Sequence, residues 1–402
     1  MASAHRRVVL AGVALALGLA PALAACGSSS GSSSGGSSKA PTITAACKLA
    51  NPPTSGASAP AGGGSKAKAT GKVGVILPDT TSSTRYTTYD APLLKKALSA
   101  AGVTPDVQNA QGDKNKFASI AQNMIGAGAK VLVIDSIDGA SGSGVEKQAT
   151  AAGVKVIDYD RVNLGGSAGY YVSFDNEDVG KLQAQTLVDC LNAQNIKKPK
   201  IIMMNGGTDV DNNAVLFAKG AHSVLDPLKA AGKLDIVAEA VVKGWKVENA
   251  APSFSQALTG SGGNIQGVLA ANDDIANAVI GVLKNQGLNG HVVVTGQDSG
   301  VEGLQNIITG QQSMTVFKNV KLEANAAAEL AIALINGDPS KAGLTLTKFD
   351  DPQAPNHKLQ ALLLPAQVIT QANVGDVIKA GALSAAEICK GVESDCKKLG
   401  IS

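Results

Sequence analysis

The chain has 402 residues, a formal net charge of +3 and an aromatic content of only 3%. So small a charge, with the basic residues scattered, leaves no electrostatic footprint for nucleic acid. Four dispersed histidines (His5, His222, His291, His357) and no Cys-x-x-Cys pair give no spacing for a metal site or a Cys–His nucleophile.

The N-terminus reads as a targeting segment. Arg6 and Arg7 precede the apolar run VVLAGVALALGLAPALA, and the segment closes on LAAC, Leu23 to Cys26. A charged start, a short apolar core and small residues at the cleavage point make a secretory signal over 1–26. LAAC resembles a bacterial lipobox, which implies lipidation of Cys26 after cleavage; the alternative is an ordinary signal with Cys26 incidental. Residues 27–38 are Gly and Ser only, and low complexity continues to about Thr70, so 27–69 reads as a flexible tether. No other apolar run approaches the roughly 18 residues that span a bilayer. The mature chain is therefore expected on the outer face of the cell membrane, anchored and not threaded. About 330 residues remain, room for two ordinary domains. An exported chain can form disulfides. Cys389 and Cys396, close in sequence, are the favoured bridge; pairing of Cys47 with Cys190 stays open.

From Lys72 onward, short β-rich runs alternate with longer helical stretches. The candidate strands are KVGVIL (72–77), VTPDVQNA (103–110), KVLVID (130–135), KVIDYD (155–160) and YYVSFD (170–175), then KIIMMNG (200–206), DIVAEAVV (235–242), GVLAAN (267–272), VVVTGQD (292–298) and SMTVFK (313–318). Between them, segments such as 90–101, 114–128, 176–194, 212–231 and 319–336 are rich in Ala, Leu and Lys. Continuous apolar strands alternating with helices predict an α/β fold of two doubly wound parallel sheets.

In such sheets ligands bind beyond the carboxyl ends of the strands. Those ends are polar here: DYDR (158–161), FDN (174–176), AND (271–273), GQD (296–298) and FK (317–318). Helix capping is the competing explanation for Asn176 and Asp273. NGGTD (205–209) lacks the dinucleotide spacing, GASGSG (139–144) lacks a suitably placed lysine, and no G-x-S-x-G elbow occurs, so neither a nucleotide cofactor nor a serine hydrolase is indicated. Asp160 and Asp298 could pair as glycosidase acids, but nothing in the sequence fixes their separation. What remains is Asp, Asn, Arg and Lys around Trp245, the lone tryptophan. Sugar hydroxyls both donate and accept, which suits carboxylates, guanidinium and amides. The C–H face of a pyranose packs on a flat indole. Gly244 is read as the turn residue that swings the ring inward.

Across 72–370 the chain resembles the type I periplasmic sugar-binding proteins of ABC importers. The resemblance is carried by KVLVIDSIDG, VKVIDYDRV, YYVSFDNEDVGKLQAQTLVD, DVDNNAVLFAKGAHSVLDPL, KGWKVENA, ANDDIANAVIGVLKNQGL, VVVTGQDS, GQQSMTVFK and LLLPAQVI. Within the family it leans towards members that take D-xylose, although PDTTSSTRY and IDSIDG look more like members that accept several aldoses. The resemblance implies two lobes joined by three crossovers near Asp175, Lys318 and Asp351, closing on the ligand. The N-terminal lobe would be 70–175 plus 319–350, and the C-terminal lobe 176–318 plus 351–402. It also implies Arg85, Tyr86, Asp160, Arg161, Asn213, Trp245, Asn272, Asp298 and Lys318 as the sugar-binding residues. Tyr86 stands where relatives often carry Trp. The implied protein is a monomer that hands a monosaccharide to an ABC permease, uses no cofactor and is not an enzyme. A sensory module that presents sugar to a receptor and an enzyme acting on sugars are the alternatives.

Overall fold

A computed structural model describes residues 43–49, 52–55 and 67–401; the signal segment, Cys26 with its lipidation and the Gly/Ser run lie outside the described residues. The strands are β1 (Lys72–Leu77), β2 (Thr104–Asn109), β3 (Ala129–Ile134), β4 (Lys155–Tyr159), β5 (Tyr170–Phe174), β6 (Lys200–Asn205), β7 (Asp235–Val241), β8 (Gly267–Ala270), β9 (Val293–Val294), β10 (Met314–Phe317), β11 (Thr347–Phe349), β12 (Leu359–Leu364) and β13 (Gln367–Thr370). The helices are α1 (Ala91–Ala100), α2 (Lys114–Gly126), α3 (Gly139–Ala151), α4 (Asn176–Ala193), α5 (Asn212–Ala230), α6 (Ala250–Gly260), α7 (Asp273–Asn285), α8 (Val301–Ile308), α9 (Val320–Ile335), α10 (Gly375–Lys379), α11 (Ala385–Cys389) and α12 (Glu393–Lys398). Among the described residues no helix is long and apolar enough to cross a membrane.

The first sheet has seven strands in the order β11-β12-β5-β4-β3-β1-β2, parallel except for β11. Strand alternation splits its apolar residues between two cores. Val73, Val75 and Leu77 of β1 and Val131 and Val133 of β3 pack with Leu94, Leu98 and Leu330 on one face. Ile76, Leu132 and Ile134 pack with Phe117, Ile120 and Met124 on the other. Burial on both faces explains why these strands read as unbroken apolar runs. The second sheet repeats the plan with four parallel strands, β7-β6-β8-β9, and β10 pairs antiparallel with β13 beside it. Ile202 and Met204 face one core, Ile201 and Met203 the other.

Three connections pass between the lobes: β5 to α4, β10 to α9, and β12 to β13. The first and third are tied where the Asp175 N–H donates to the Leu364 carbonyl at 3.1 Å. This moves one expected boundary. The third crossing lies at Pro365–Ala366 and not near Asp351, because Gln360 to Leu364 pair in parallel with Tyr170 to Phe174 and so belong to the first sheet. The run LLLPAQVI joins the end of β12 to β13; Pro365 carries no N–H to continue the ladder and marks the change of lobe.

Two other expectations change. Part of the tether is docked: Cys47 is bonded to Cys190, Ala45 N–H donates to the Gly290 carbonyl at 2.9 Å, and Thr54 bridges Gln367. Cys47 is buried at 5% exposure with Leu187, Cys190 and Leu191, so a stretch with tether-like composition is pinned by one covalent bond and an apolar seat. The strand expected over 292–298 shortens to β9, and the chain then shifts to Val316 of β10, which Gln297 bridges, so that Gln297 and Asp298 reach the cleft. Cys389 is bonded to Cys396, closing the C-terminal helices onto α8, whose Gln305 donates to the carbonyls of Ile388 and Lys390 at 3.1 and 2.9 Å.

Candidate ligand-binding site

All nine residues expected to bind ligand line one cavity between the lobes, joined by Ser82, Ser83, Asp211, Phe217 and Gln297. With the lobes together the cavity they enclose is small, about 20 Å³. A larger hollow of about 300 Å³ lies between α1, the start of α9 and the C-terminal segment, but Leu93, Phe317, Val320, Val377 and Leu383 give it largely apolar walls. Convergent polar groups mark the smaller cavity as the site.

The first-lobe side is built on strand ends and one irregular turn. Arg85 directly precedes a π-type turn, Tyr86–Asp90, a feature frequent at functional sites. The turn returns the Asp90 carboxylate to its own arginine, which donates Nε and Nη2 to it at 3.0 and 2.8 Å. Nη2 also donates to Glu323 at 2.5 Å and Nη1 to Asp160 at 3.1 Å. Four of the guanidinium's five N–H groups are thus held by first-lobe acidic side chains, so Arg85 is fixed in direction before any ligand arrives. Tyr86 donates its hydroxyl to Asp160 Oδ2 at 3.2 Å, and its ring lies between the guanidinium groups of Arg85 and Arg161 at 5.8 and 5.6 Å.

Asp160, past the end of β4, has φ +59°. Burial raises its carboxyl, but Arg85, Lys318 and Arg161 outweigh burial and hold it at about 2, firmly ionised. Arg161 donates to the Ser136 carbonyl and to Ser82 Oγ at 3.1 and 3.3 Å.

The second lobe presents helix starts and one ring. Asp211 is the N-cap of α5, and Asn213, inside the first turn, sends its amide across the cleft to the Asp160 carbonyl at 2.8 Å. Asn272 is itself the N-cap of α7, its Oδ1 accepting from Ile275 N at 2.9 Å, which leaves its amide hydrogens to the cleft. The caps considered for Asn176 and Asp273 fall one residue earlier, on Asp175 and Asn272. Asp298, at φ +91°, accepts from Ser83 Oγ at 3.2 Å and lies 3.2 Å from Lys318 Nζ. Lys318, on the second crossover, is 3.9 Å from Asp160 and sits over the rings of Phe174 and Phe217 at 5.7 and 5.6 Å.

Trp245 is only 4% exposed, and like Gly244 before it has a left-handed backbone, with φ +58° and +61°. Its indole lies against the backbone of the loop after β6. A Cβ on Gly206 would stand 2.1 Å from Trp245 Cη2, and one on Gly207 2.7 Å from Cδ1. The two glycines of NGGTD are a floor for the indole. Phe217 meets the ring edge-on at 6.4 Å between centroids. The ring thus serves both as cavity wall and as part of the second-lobe core.

Sequence reasoning missed Ser82, Ser83, Asp211, Phe217 and Gln297. Only Gln297 had a signal, inside the GQD strand end. The others gain their place from contacts across loops and lobes. Asp160, Trp245 and Asp298 all sit in the costly left-handed region, where non-glycine residues persist only when their surroundings over-determine them.

The lobes touch through Asn213 on Asp160, Ser83 on Asp298 and the Asn272 amide on the Ser82 carbonyl at 3.4 Å, so the geometry is a closed cleft. Comparison with known proteins places it. Residues 73–339 match the model of the periplasmic binding protein domain. The chain belongs to the periplasmic binding protein family. This binding protein is 41% identical over 257 residues to the D-xylose-binding periplasmic protein of Escherichia coli K12, covering 64% of this chain and 76% of that protein. It is 36% identical over 282 residues to the multiple sugar-binding periplasmic receptor ChvE of Rhizobium radiobacter, covering 66% and 78%. Among solved structures, it resembles an ABC transporter solute-binding protein from Clostridium phytofermentans with bound β-D-glucose, at a TM-score of 0.71 and 29% identity, covering 79% of this chain and 99% of that one.

Proposed function

We propose that this binding protein captures a monosaccharide, D-xylose foremost, between its closing lobes and delivers it to an ABC permease, tethered outside the cell by a lipid on Cys26. The observation that carries the reading is the convergence of two guanidinium groups, carboxylates, side-chain amides and one indole on a single cleft between the lobes. Hydroxyls need donors and acceptors at several points at once, and a site built for them rejects analogues that leave buried groups unpaired. Gln297 Oε1 and Arg161 Nε are buried without a hydrogen-bond partner, and a polyol supplies such partners. The D-xylose-binding relatives favour that sugar; ChvE and its like favour a broader aldose range.

Binding without chemistry is the better reading of the two carboxylates. A glycosidase needs one carboxyl held protonated. Asp160 is held ionised at about 2, and Asp298 is paired with Lys318. Calorimetric titration with D-xylose, D-glucose, D-galactose, L-arabinose and D-ribose tests the proposal. Saturable one-to-one binding is expected, tightest for D-xylose, with the sugar recovered unchanged. No heat from any of the five sinks it.

A further inference from the structure

Asp211 makes more contacts than a helix cap requires. Its Oδ1 accepts from the Asn213 N–H at 2.8 Å, which is the ordinary capping bond of α5. Its Oδ2 accepts from the indole Nε1 of Trp245 at 3.0 Å. The same oxygen lies 3.5 Å from Nε of Arg161, which comes from the other lobe. That arginine nitrogen makes no hydrogen bond in the protein; its other neighbouring carboxylate, Asp135, is 3.7 Å away. Capping alone is served as well by serine, with a single uncharged oxygen. A full carboxylate buried at 6% exposure is costly unless it is paired. Here the partner is supplied by the opposite lobe.

We propose that Asp211 is a positioning residue of the sugar site, fixing the plane of the Trp245 ring and pairing with Arg161 when the lobes close. The inference rests on the sugar-binding reading above and goes beyond it. The indole is then held from two directions, by the Gly206–Gly207 floor beneath it and by Asp211 at its N–H edge. Because one oxygen serves both the ring and Arg161, ring orientation and closure are coupled. Loss of a buried charged partner acts mainly on dissociation, since the contact forms after encounter.

Two variants test this in the full-length protein, with D-xylose and D-glucose as probes. Asp211→Ser keeps a capping oxygen but reaches neither the indole nor Arg161. Asp211→Asn keeps one acceptor and turns an amide donor towards two other donors. Both are expected to retain the wild-type circular dichroism and melt close to wild type. Both are expected to change the emission of Trp245, the sole tryptophan. Stopped-flow fluorescence is expected to show sugar leaving about ten- to hundredfold faster, with association nearly unchanged. In a Trp245→Phe background, which has no N–H to hold, calorimetry is expected to show a smaller affinity loss from Asp211→Asn. If Asp211→Ser fails to fold, Asp211→Asn carries the same expectations. A wild type that binds sugar beside variants with unchanged dissociation overturns this inference alone. A wild type that binds no aldose overturns the sugar reading and this inference with it.

Discussion

Asp160, Arg161 and Trp245 could be picked out of the sequence because polar residues past an apolar strand, and a solitary indole in a polar loop, are out of place unless something uses them. The acidic partners Asp90, Asp211 and Glu323 could not. The link between Arg85 and Glu323 spans 238 residues, and nothing local to either announces it. Burial pushes the Glu323 carboxyl up to about 8 against the pull of Arg85, whereas in an unfolded chain a glutamate titrates near about 4.3. As pH rises the unfolded chain releases this proton first. The group's contribution to stability is therefore full below about pH 4.3 and is lost as pH climbs towards about 8. Glu323→Gln has no such proton to lose. The wild-type melting temperature is expected to fall relative to that of the variant between about pH 5 and about pH 8. A difference that stays constant across that window contradicts the assignment.

Elements were legible where periodicity is strong and misleading where tertiary contacts decide. The central strands β1, β3, β4, β6 and β8 were legible because burial makes them nearly continuous apolar runs, whereas β11 and β12 of the first sheet were not picked out. β12 joined the wrong lobe in the sequence reading because an apolar run does not say which sheet it enters; Pro365 was the local clue. NGGTD was weighed as a phosphate loop and set aside, and its glycines turn out to matter through close approach to an indole. Gly206→Ala is expected to push the Trp245 ring out of place, since the added Cβ stands 2.1 Å from ring carbon. Sugar affinity should then fall by about tenfold or more while the fold survives, as overpacking costs roughly 1–3 kcal/mol. Calorimetry beside thermal melting checks this, and wild-type affinity in Gly206→Ala would falsify the floor-and-ring arrangement.

At the scale of the molecule, two α/β lobes, three crossings and a polar seam between them are the parts from which the proposed capture by closure is built. Across the seam run the bonds from Asn213 to Asp160, Ser83 to Asp298 and Asn272 to Ser82, and the Arg161–Asp211 pair, beside the rings of Tyr86, Phe217 and Trp245. Hinge closure around a ligand is an established response of such folds, and the shift in lobe equilibrium equals the ligand's preference for the closed form. Trp245 sits in the seam itself, which makes its fluorescence the most direct probe of the account. Titration of the wild type with D-xylose is expected to give a saturable, one-site change in Trp245 emission. A signal that stays flat with D-xylose and with every other aldose contradicts the claim that this cleft captures a sugar.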